Sequence, residues 1–343
     1  MNEIKILKYL KLMASYSASD LHLHVNQSPV FRIHGELESL TSEQINKNDI
    51  NDFINKVISE SDKKDLLNKG ELDFSFELSS VARFRGNVYY ERGNLALVFR
   101  LIPLYIPSLK ELCLPTQIAD FTKLASGLVI VTGATGSGKS TTMASMLNLI
   151  NKQYAKHIVT LEDPIEYLHS NKKSIFSQRE IGRDTISFTT ALRSSLREDP
   201  DVILIGEMRD LETTDIAIRA AETGHLVFAT MHTPGATESI ERILGSFPPH
   251  QRSVISSQLS FCLKGVIFQK LLPKQNGGRV AAVEIMTATP AVCNLIRENK
   301  THQLKSILQT SRQQGMISMN GALQDLFNNK LINKQVYESN LIN

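Results

Sequence analysis

The residues from Gly133 to Ser140 read GATGSGKS, which matches the pattern G-x-x-x-x-G-K-[ST]. An apolar stretch precedes the string and the helix-like TTMASMLNLI follows it. In such a strand–loop–helix context, glycines let successive backbone N–H groups surround phosphate oxygens at a helix N-terminus. A lysine then reaches the terminal phosphates and a serine hydroxyl ligates Mg²⁺. We therefore predict a nucleoside triphosphate site whose binding residues are Gly133, Ala134, Thr135, Gly136, Ser137, Gly138, Lys139, Ser140 and Thr141.

Hydrolysis of a bound nucleotide also needs carboxylates near the terminal phosphate. Glu207 directly follows the apolar string DVILIG, and we predict it to be the general base. In HIVTLEDPIEY a second apolar run ends in Glu162, Asp163 and Glu166, with Pro164 forcing a turn. We predict that these three serve the metal shell, with Glu166 favoured. The alternative is that Glu162 and Asp163 only cap the segment or pair with arginines.

Two histidines, His225 and His232, flank the apolar segment 226–231. If that segment is a strand, seven residues at ~3.3 Å each separate the histidines by about 23 Å and direct them to opposite faces. They cannot share one metal ion. We expect His232, at the carboxyl end, to contact the terminal phosphate as a sensor. For His225, at the other end, the spacing favours packing or a subunit contact.

Guanidinium groups stabilise a triphosphate in its transition state and often come from a neighbouring subunit. The candidates in the first part of the chain are Arg83, Arg85 and Arg100, and those in the second are Arg193 and Arg197. The alternative for each of them is a solvated strand face or a local ion pair.

The elements that must position these residues change in character along the chain. From Asp20 to Arg100 several alternating strand patterns and one helical stretch predict a small α+β domain. Prolines at 103, 107 and 115 then suggest a linker. Beyond Ser126, short apolar strands alternate with segments long enough for crossover helices, which favours a parallel α/β sheet covered on both faces. We predict domains over 1–103 and 126–289, a linker over 104–125 and a helical C-terminal part over 290–343.

Composition narrows the function classes. The 343 residues suggest two domains, and a net charge of only +3 gives no reason to expect a nucleic-acid partner. No apolar run approaches the ~18 residues that span a bilayer. The three cysteines, Cys113, Cys262 and Cys293, are too few and too scattered for a disulfide framework or a CxxC zinc site. These observations favour a cytoplasmic protein.

Four motifs together, GATGSGKST, TLEDPIEY, ALRSSLREDPDVILIGEMRD and TGHLVFATMHT, resemble the secretion and type IV pilus ATPase superfamily. The resemblance is closest to its pilus-retraction branch, the PilT-type ATPases, and it extends from SASDLHLHVNQSPVFRIHGEL to NGGRVAAVEIMTATPAVCNLIREN. In family terms Glu162, Asp163 and Glu166 form the Asp box, Glu207 is the Walker B glutamate, and residues 225–232 form the His box. The family treats both histidines as important, which adds His225 to the predicted catalytic set of Glu207, Lys139 and His232.

The resemblance further implies a PAS-like first domain, a RecA-like motor domain and a homo-hexameric ring with ATP and Mg²⁺ between subunits. It implies that Arg83, Arg85 and Arg100 reach the nucleotide from the first domain. Two positions depart from the family pattern: Cys293 stands where the AIRNLIRE-like segment of relatives has an arginine, and Ala134 stands where many relatives have proline.

The expected function is that of a motor for type IV pilus retraction and twitching motility, at the cytoplasmic face of the inner membrane. Its expected partners are an inner-membrane platform protein and a paralogous retraction ATPase, with membrane association only through partners. The alternative is a related type IVB secretion ATPase or a pilus-assembly motor, although assembly members usually carry a four-cysteine zinc site. Two further rivals are a RecA-type DNA motor and a structural subunit that binds nucleotide without turnover.

Overall fold

The computed structural model describes residues 4–16, 18–33, 35–78, 81–102 and 105–341. The chain divides into two compact units, Met1–Tyr105 and Ile106–Asn343. In the described part, no helix has the length and apolar character needed to cross a membrane.

The first unit contains a six-stranded antiparallel sheet in the order β3-β2-β1-β6-β5-β4. Its strands are β1 (Asp20–Leu23), β2 (Val30–Ile33), β3 (Glu36–Glu38), β4 (Glu71–Leu78), β5 (Ala82–Glu91) and β6 (Asn94–Ile102). Its helices are α1 (Lys5–Ser15), α2 (Lys47–Val57) and α3 (Glu60–Lys69).

Along β5, side chains alternate between the buried face of the sheet and the opposite face. Phe84 and Val88 are buried in the core of the unit, whereas Arg83 and Arg85 point to the opposite face because successive side chains alternate. Phe53 of α2 packs edge-on against Phe99 of β6, with ring centroids 5.3 Å apart. The first unit is therefore the α+β domain that the sequence predicts.

The second unit contains a seven-stranded sheet in the order β13-β12-β7-β11-β10-β8-β9, in which only the β12–β13 pair is antiparallel among the described residues. Its strands are β7 (Gly127–Thr132), β8 (His157–Glu162), β9 (Ile175–Glu180), β10 (Val202–Ile205), β11 (Leu226–Met231), β12 (Leu263–Pro273) and β13 (Arg279–Thr287). Its helices are α4 (Gln117–Phe121), α5 (Lys139–Gln153), α6 (Phe188–Ser195), α7 (Leu211–Glu222), α8 (Ala236–Ser246), α9 (Pro249–Cys262), α10 (Pro290–Arg297), α11 (Leu304–Thr310), α12 (Met319–Asn328) and α13 (Lys334–Asn340), with short 3₁₀ turns at Thr301–Gln303 and Arg312–Gln314.

Every residue of β7, β10 and β11 is buried. Such strands read as continuous apolar runs because helices cover both faces of a parallel sheet. Four of the short apolar strands predicted beyond Ser126 are β7, β8, β10 and β11, and they end at the same edge. This is the RecA-like α/β core expected from the sequence.

The segment that we expected to be a linker, 104–125, is structured from Ile106 onward as part of the second unit. Ile118 and Phe121 of α4 are buried in a cluster with Val129 of β7. Phe121 also packs on Gly265, where an added Cβ would lie 2.5 Å from the ring. Apolar burial therefore draws this proline-containing segment into the second unit. The helices after Pro290 likewise contribute to its core, for example through Ile296 and Leu323.

Candidate nucleotide site

The phosphate loop connects the end of β7 at Thr132 to the start of α5 at Lys139. Gly133 and Gly138 have φ angles of 145° and 89°, in the region that favours glycine because it has no Cβ. The Ser137 N–H donates to the Ala134 carbonyl at 3.2 Å, which closes the turn. The GATGSGKS string thus forms the strand–loop–helix arrangement that its context predicts.

Lys139 lies at the centre of this loop and is 8% exposed. Its Nζ donates to the carbonyl oxygens of Gly133 at 2.9 Å and Ala134 at 3.0 Å. Burial lowers the pKa of Lys139, while the carboxylates of Glu207 and Glu166 act in the opposite direction. The two carboxylates therefore stabilise the charged form of the ammonium group.

Glu207 is positioned by the turn that ends β10. The Thr230 hydroxyl donates to the Gly206 carbonyl, and the Met208 N–H donates to the Thr230 carbonyl at 3.0 Å. These bonds hold the backbone on both sides of Glu207 against β11. The Glu207 carboxylate accepts from Arg209 Nε at 2.7 Å, an arginine that we did not predict in the site.

His232 follows β11 and lies between the lysine and the glutamate. Its Nδ1 is 3.5 Å from Lys139 Nζ, and its Nε2 is 3.5 Å from Glu207 Oε2. The three side chains meet because β11 lies between β7 and β10 and all three strands end at the same edge.

His225 lies at the other end of β11, and the structure does not bring it to the phosphate loop. Its Nδ1 is 3.0 Å from the Ala220 carbonyl at the end of α7, and its carbonyl accepts from the Gly127 N–H at 3.0 Å. Gly127 begins β7, so the six residues of that strand, about 20 Å long, separate His225 from the loop. This position agrees with the strand spacing, and a catalytic role for His225 stays a prediction. Within one subunit His225 connects the end of α7 to the start of β7.

Glu162 ends β8, and its carboxyl group is committed to hydrogen bonds. It accepts from the Thr160 hydroxyl at 2.8 Å, from Gln178 Nε2 at 3.3 Å and from the Glu166 backbone N–H. Burial raises the pKa of the Glu162 carboxyl to about 7, although these hydrogen bonds lower it. The geometry thus favours a turn-holding role over the metal-ligand role that we predicted for Glu162.

Asp163 and Glu166 are exposed on the turn that Glu162 holds. The next residue, Tyr167, bonds through its hydroxyl to the Thr141 hydroxyl at 2.9 Å. Burial raises the pKa of Tyr167, and the nearby Glu166 carboxylate adds to the effect while the Thr141 bond opposes it. The Tyr167–Thr141 bond therefore ties this turn to the first turn of α5.

The loop fits a phosphate ligand with Mg²⁺. The Ser137 hydroxyl is buried without a hydrogen-bond partner, and a Cβ added at Gly136 would meet nothing within 4 Å. No group of three or more His, Cys, Asp or Glu residues forms a metal site within the described ranges. Mg²⁺ at a nucleotide takes most of its ligands from phosphates and water. Ser140 in the first turn of α5, with Glu166 on the turn that the Tyr167–Thr141 bond ties to that helix, is therefore a suitable protein contribution.

Sequence reasoning missed two polar residues that support the loop, Thr233 and Gln269. The Thr132 hydroxyl accepts from the Thr233 N–H at 2.9 Å and lies 2.7 Å from the Thr233 hydroxyl. Gln269 lies in β12 and contacts the loop directly. The available signal was a polar residue inside an apolar run, GVIFQKLL for Gln269.

The predicted arginines have local partners. In the first unit, Arg100 Nε donates to Asp20 Oδ1 at 2.9 Å, Arg85 Nη2 lies 3.5 Å from Asp73 Oδ2, and Arg83 Nη2 donates to the Ser75 hydroxyl at 3.2 Å. In the second, Arg193 pairs with Glu212, and Arg197 Nη1 donates to the Arg193 carbonyl at 3.1 Å. A contact between any of these arginines and nucleotide stays a prediction.

Comparison with known proteins gives relatives that match over nearly the whole chain. The chain is 44% identical over 330 residues to the type IV pilus retraction ATPase PilT of Pseudomonas aeruginosa, covering 96% of each protein. The crystal structure of the pilus retraction motor PilT with bound ADP superimposes with a TM-score of 0.92 at 45% identity, covering 99% of this chain and 98% of that one. The ATPase DotB of Legionella pneumophila superimposes with a TM-score of 0.83 at 28% identity, covering 97% and 94%.

The family model described as "Type II/IV secretion system protein" matches residues 3–336. This range includes the phosphate loop, the Asp box, Glu207 and both histidines. The chain therefore belongs to the type II/IV secretion system protein family.

Proposed function

We propose that this chain is an ATPase that drives retraction of type IV pili. The observation that carries the proposal is the line from Lys139 in the phosphate loop through His232 to Glu207, with 3.5 Å between successive partners. The 44% identity to PilT over 96% of the chain supports the retraction motor.

The line of side chains is suited to hydrolysis of ATP by water. In this reaction the water oxygen bonds to the γ-phosphorus, the bond from that phosphorus to the ADP oxygen breaks, and Glu207 accepts a proton from the water. Lys139 neutralises the charge on the phosphate oxygens. His232 contacts both Lys139 and Glu207. When Lys139 binds the terminal phosphate, His232 can therefore change the orientation of the Glu207 carboxylate.

For Mg²⁺ we assign Ser140, with Asp163 and Glu166 acting directly or through water. When bound, the ion neutralises part of the charge on the phosphates. The Tyr167–Thr141 bond keeps the turn of Glu166 next to the helix that carries Ser140.

We assign the working assembly as a homo-hexamer, with Arg83, Arg85 and Arg100 of one subunit reaching the nucleotide of its neighbour. We assign its place to the cytoplasmic face of the inner membrane, where hydrolysis moves a platform protein and so disassembles the pilus. A paralogous retraction ATPase is a candidate second partner.

The test of this function is deletion of the gene. Surface pili are then counted and twitching is assayed. Retraction predicts more pili and no twitching, and complementation with the Glu207→Gln variant should fail while the parental gene restores movement. A strain without pili after deletion would identify an assembly motor and overturn the proposal.

A type IVB secretion ATPase is the second candidate, because the family model that matches residues 3–336 describes type II/IV secretion system proteins. Under that alternative, deletion leaves pilus number and twitching unchanged and stops secretion of effector proteins. The pilus count therefore separates the two candidates.

A further inference from the structure

Gln269 is a polar side chain buried in β12, directly beneath the phosphate loop, and only 2% of it is exposed. The strand β12 pairs in parallel with β7, with Phe268 opposite Thr132, so that Gln269 lies beside the first residue of the loop. Both ends of its carboxamide are used. Nε2 donates to the Ser137 carbonyl at 2.7 Å, and Oε1 accepts from the Thr142 hydroxyl at 2.8 Å.

The chemistry of the partners fixes the orientation of this carboxamide. A backbone carbonyl can only accept, so the NH₂ group of Gln269 must face Ser137. The oxygen then faces Thr142, whose hydroxyl donates. Gln269 thus connects the end of the loop to the first turns of α5 through one hydrogen bond that it donates and one that it accepts.

The bond to Ser137 also determines the direction of the next N–H group. In a trans peptide the C=O and N–H point to opposite sides, so the Gly138 N–H points away from Gln269. On the Gln269 side the loop is closed: a Cβ at Gly138 would lie 2.8 Å from Gln269 Nε2, and one at Gly133 would overlap the Gln269 carbonyl oxygen. The Gly138 N–H therefore points to the side of the loop that Gln269 leaves open to a phosphate.

We propose that Gln269 is a positioning residue that holds the phosphate loop in its phosphate-accepting conformation. The inference rests on the nucleotide site of the proposed function. Gln269 acts through Ser137, Gly138 and Thr142 and has no contact with the reaction itself. Its loss should therefore weaken nucleotide binding more than it slows the chemical step.

Gln269→Glu is the sharpest test, because the change keeps the size and puts a carboxylate oxygen against the Ser137 carbonyl. The affinity of the full-length protein for a fluorescent ADP analogue should fall about tenfold, as expected for one lost buried hydrogen bond with an unpaired partner. The KM for ATP should rise by a similar factor with a much smaller change in kcat. The control Gln275→Glu makes the same chemical change at an exposed turn six residues away and should leave both values unchanged.

Thr142→Val provides an independent variant that leaves Gln269 in place and removes only the donor to its Oε1. It should also weaken ADP binding. The double variant with Gln269→Glu should lose less ADP affinity than the product of the two single effects, because both substitutions break the same connection.

If Gln269→Glu fails to fold, as judged by circular dichroism, Thr142→Val decides the question. The melting temperature separates a positioning role from simple core packing, which would lower stability without changing ADP affinity in the folded protein.

ADP affinity within twofold of the parental value in the folded Gln269→Glu variant, or in Thr142→Val if the first does not fold, overturns the inference. A parental protein that binds ADP without hydrolysing ATP would instead overturn the proposed ATPase, and the binding comparison would still test Gln269. A parental protein that binds no nucleotide would overturn both.

Discussion

The Nζ atom of Lys139 lies 3.5 Å from Nδ1 of His232, although 93 residues separate them in the chain. The other imidazole nitrogen lies 3.5 Å from the carboxylate of Glu207. One histidine therefore contacts both the group suited to hold the terminal phosphates and the group suited to activate water. This relationship makes different predictions for each of the three residues.

Replacing Glu207 with glutamine should lower the rate of ATP hydrolysis about 10²- to 10⁴-fold, because an amide cannot accept the proton of the attacking water. Binding of a fluorescent ATP analogue should persist, since the amide keeps the size of the carboxylate. Phosphate release from the purified variant measures the effect. Glu338→Gln, on the terminal helix α13, is the control, and hydrolysis at the parental rate in Glu207→Gln would rule out the base assignment.

Replacing Lys139 with alanine should weaken ATP binding at least about 100-fold, since a buried charge-assisted contact to phosphate is lost. Isothermal titration calorimetry gives the affinity directly. Lys152→Ala removes an exposed lysine from the last turn of the same helix and should bind ATP normally. Equal affinity in the two variants would contradict the predicted role of Lys139.

The two histidines should differ in their effect on discrimination between ATP and ADP. His232→Gln should reduce the preference for a non-hydrolysable ATP analogue over ADP about tenfold, because His232 lies beside Lys139, to which we assign contact with the terminal phosphate. His225→Gln should leave that ratio unchanged, because β7 separates His225 from the loop. Competition binding against one fluorescent nucleotide measures both ratios, and a larger effect at His225 than at His232 would contradict this assignment of the sensor.

Glu162 should give the folded protein a pH-dependent stability. Burial raises the pKa of its carboxyl from 4.5 to about 7, so the folded state holds a proton that the unfolded chain releases. The resulting destabilisation is absent below about pH 4.5, grows as the pH rises, and is complete above about pH 7. Glu162→Gln should therefore gain stability relative to the parental protein as the pH increases from 5 to 7.5.

Urea unfolding of both proteins at the two pH values measures this difference. Asp163→Asn changes the adjacent, exposed carboxylate and should not show the same trend. A Glu162→Gln variant whose relative stability is independent of pH would show that the carboxyl group is not held protonated near neutral pH.

The sequence by itself determined the features that depend on local conformation. The glycine spacing in GATGSGKS requires backbone angles that other residues avoid, and apolar runs ending in Glu207 and His232 indicate strands whose carboxyl ends meet at one edge. Alternating strand patterns between Asp20 and Arg100 likewise predicted the small α+β domain. These features need no knowledge of which strand lies next to which.

Only the tertiary structure decided the neighbours. The strand order puts β7 between β11 and β12, and this order brings His232 to Lys139 on one side and Gln269 beneath the loop on the other. It also gives the Glu162 carboxyl group its hydrogen-bond partners, Thr160 and Gln178. The physical reason is that the role of a polar group depends on its burial and on its partners, and both come from segments far away in the chain.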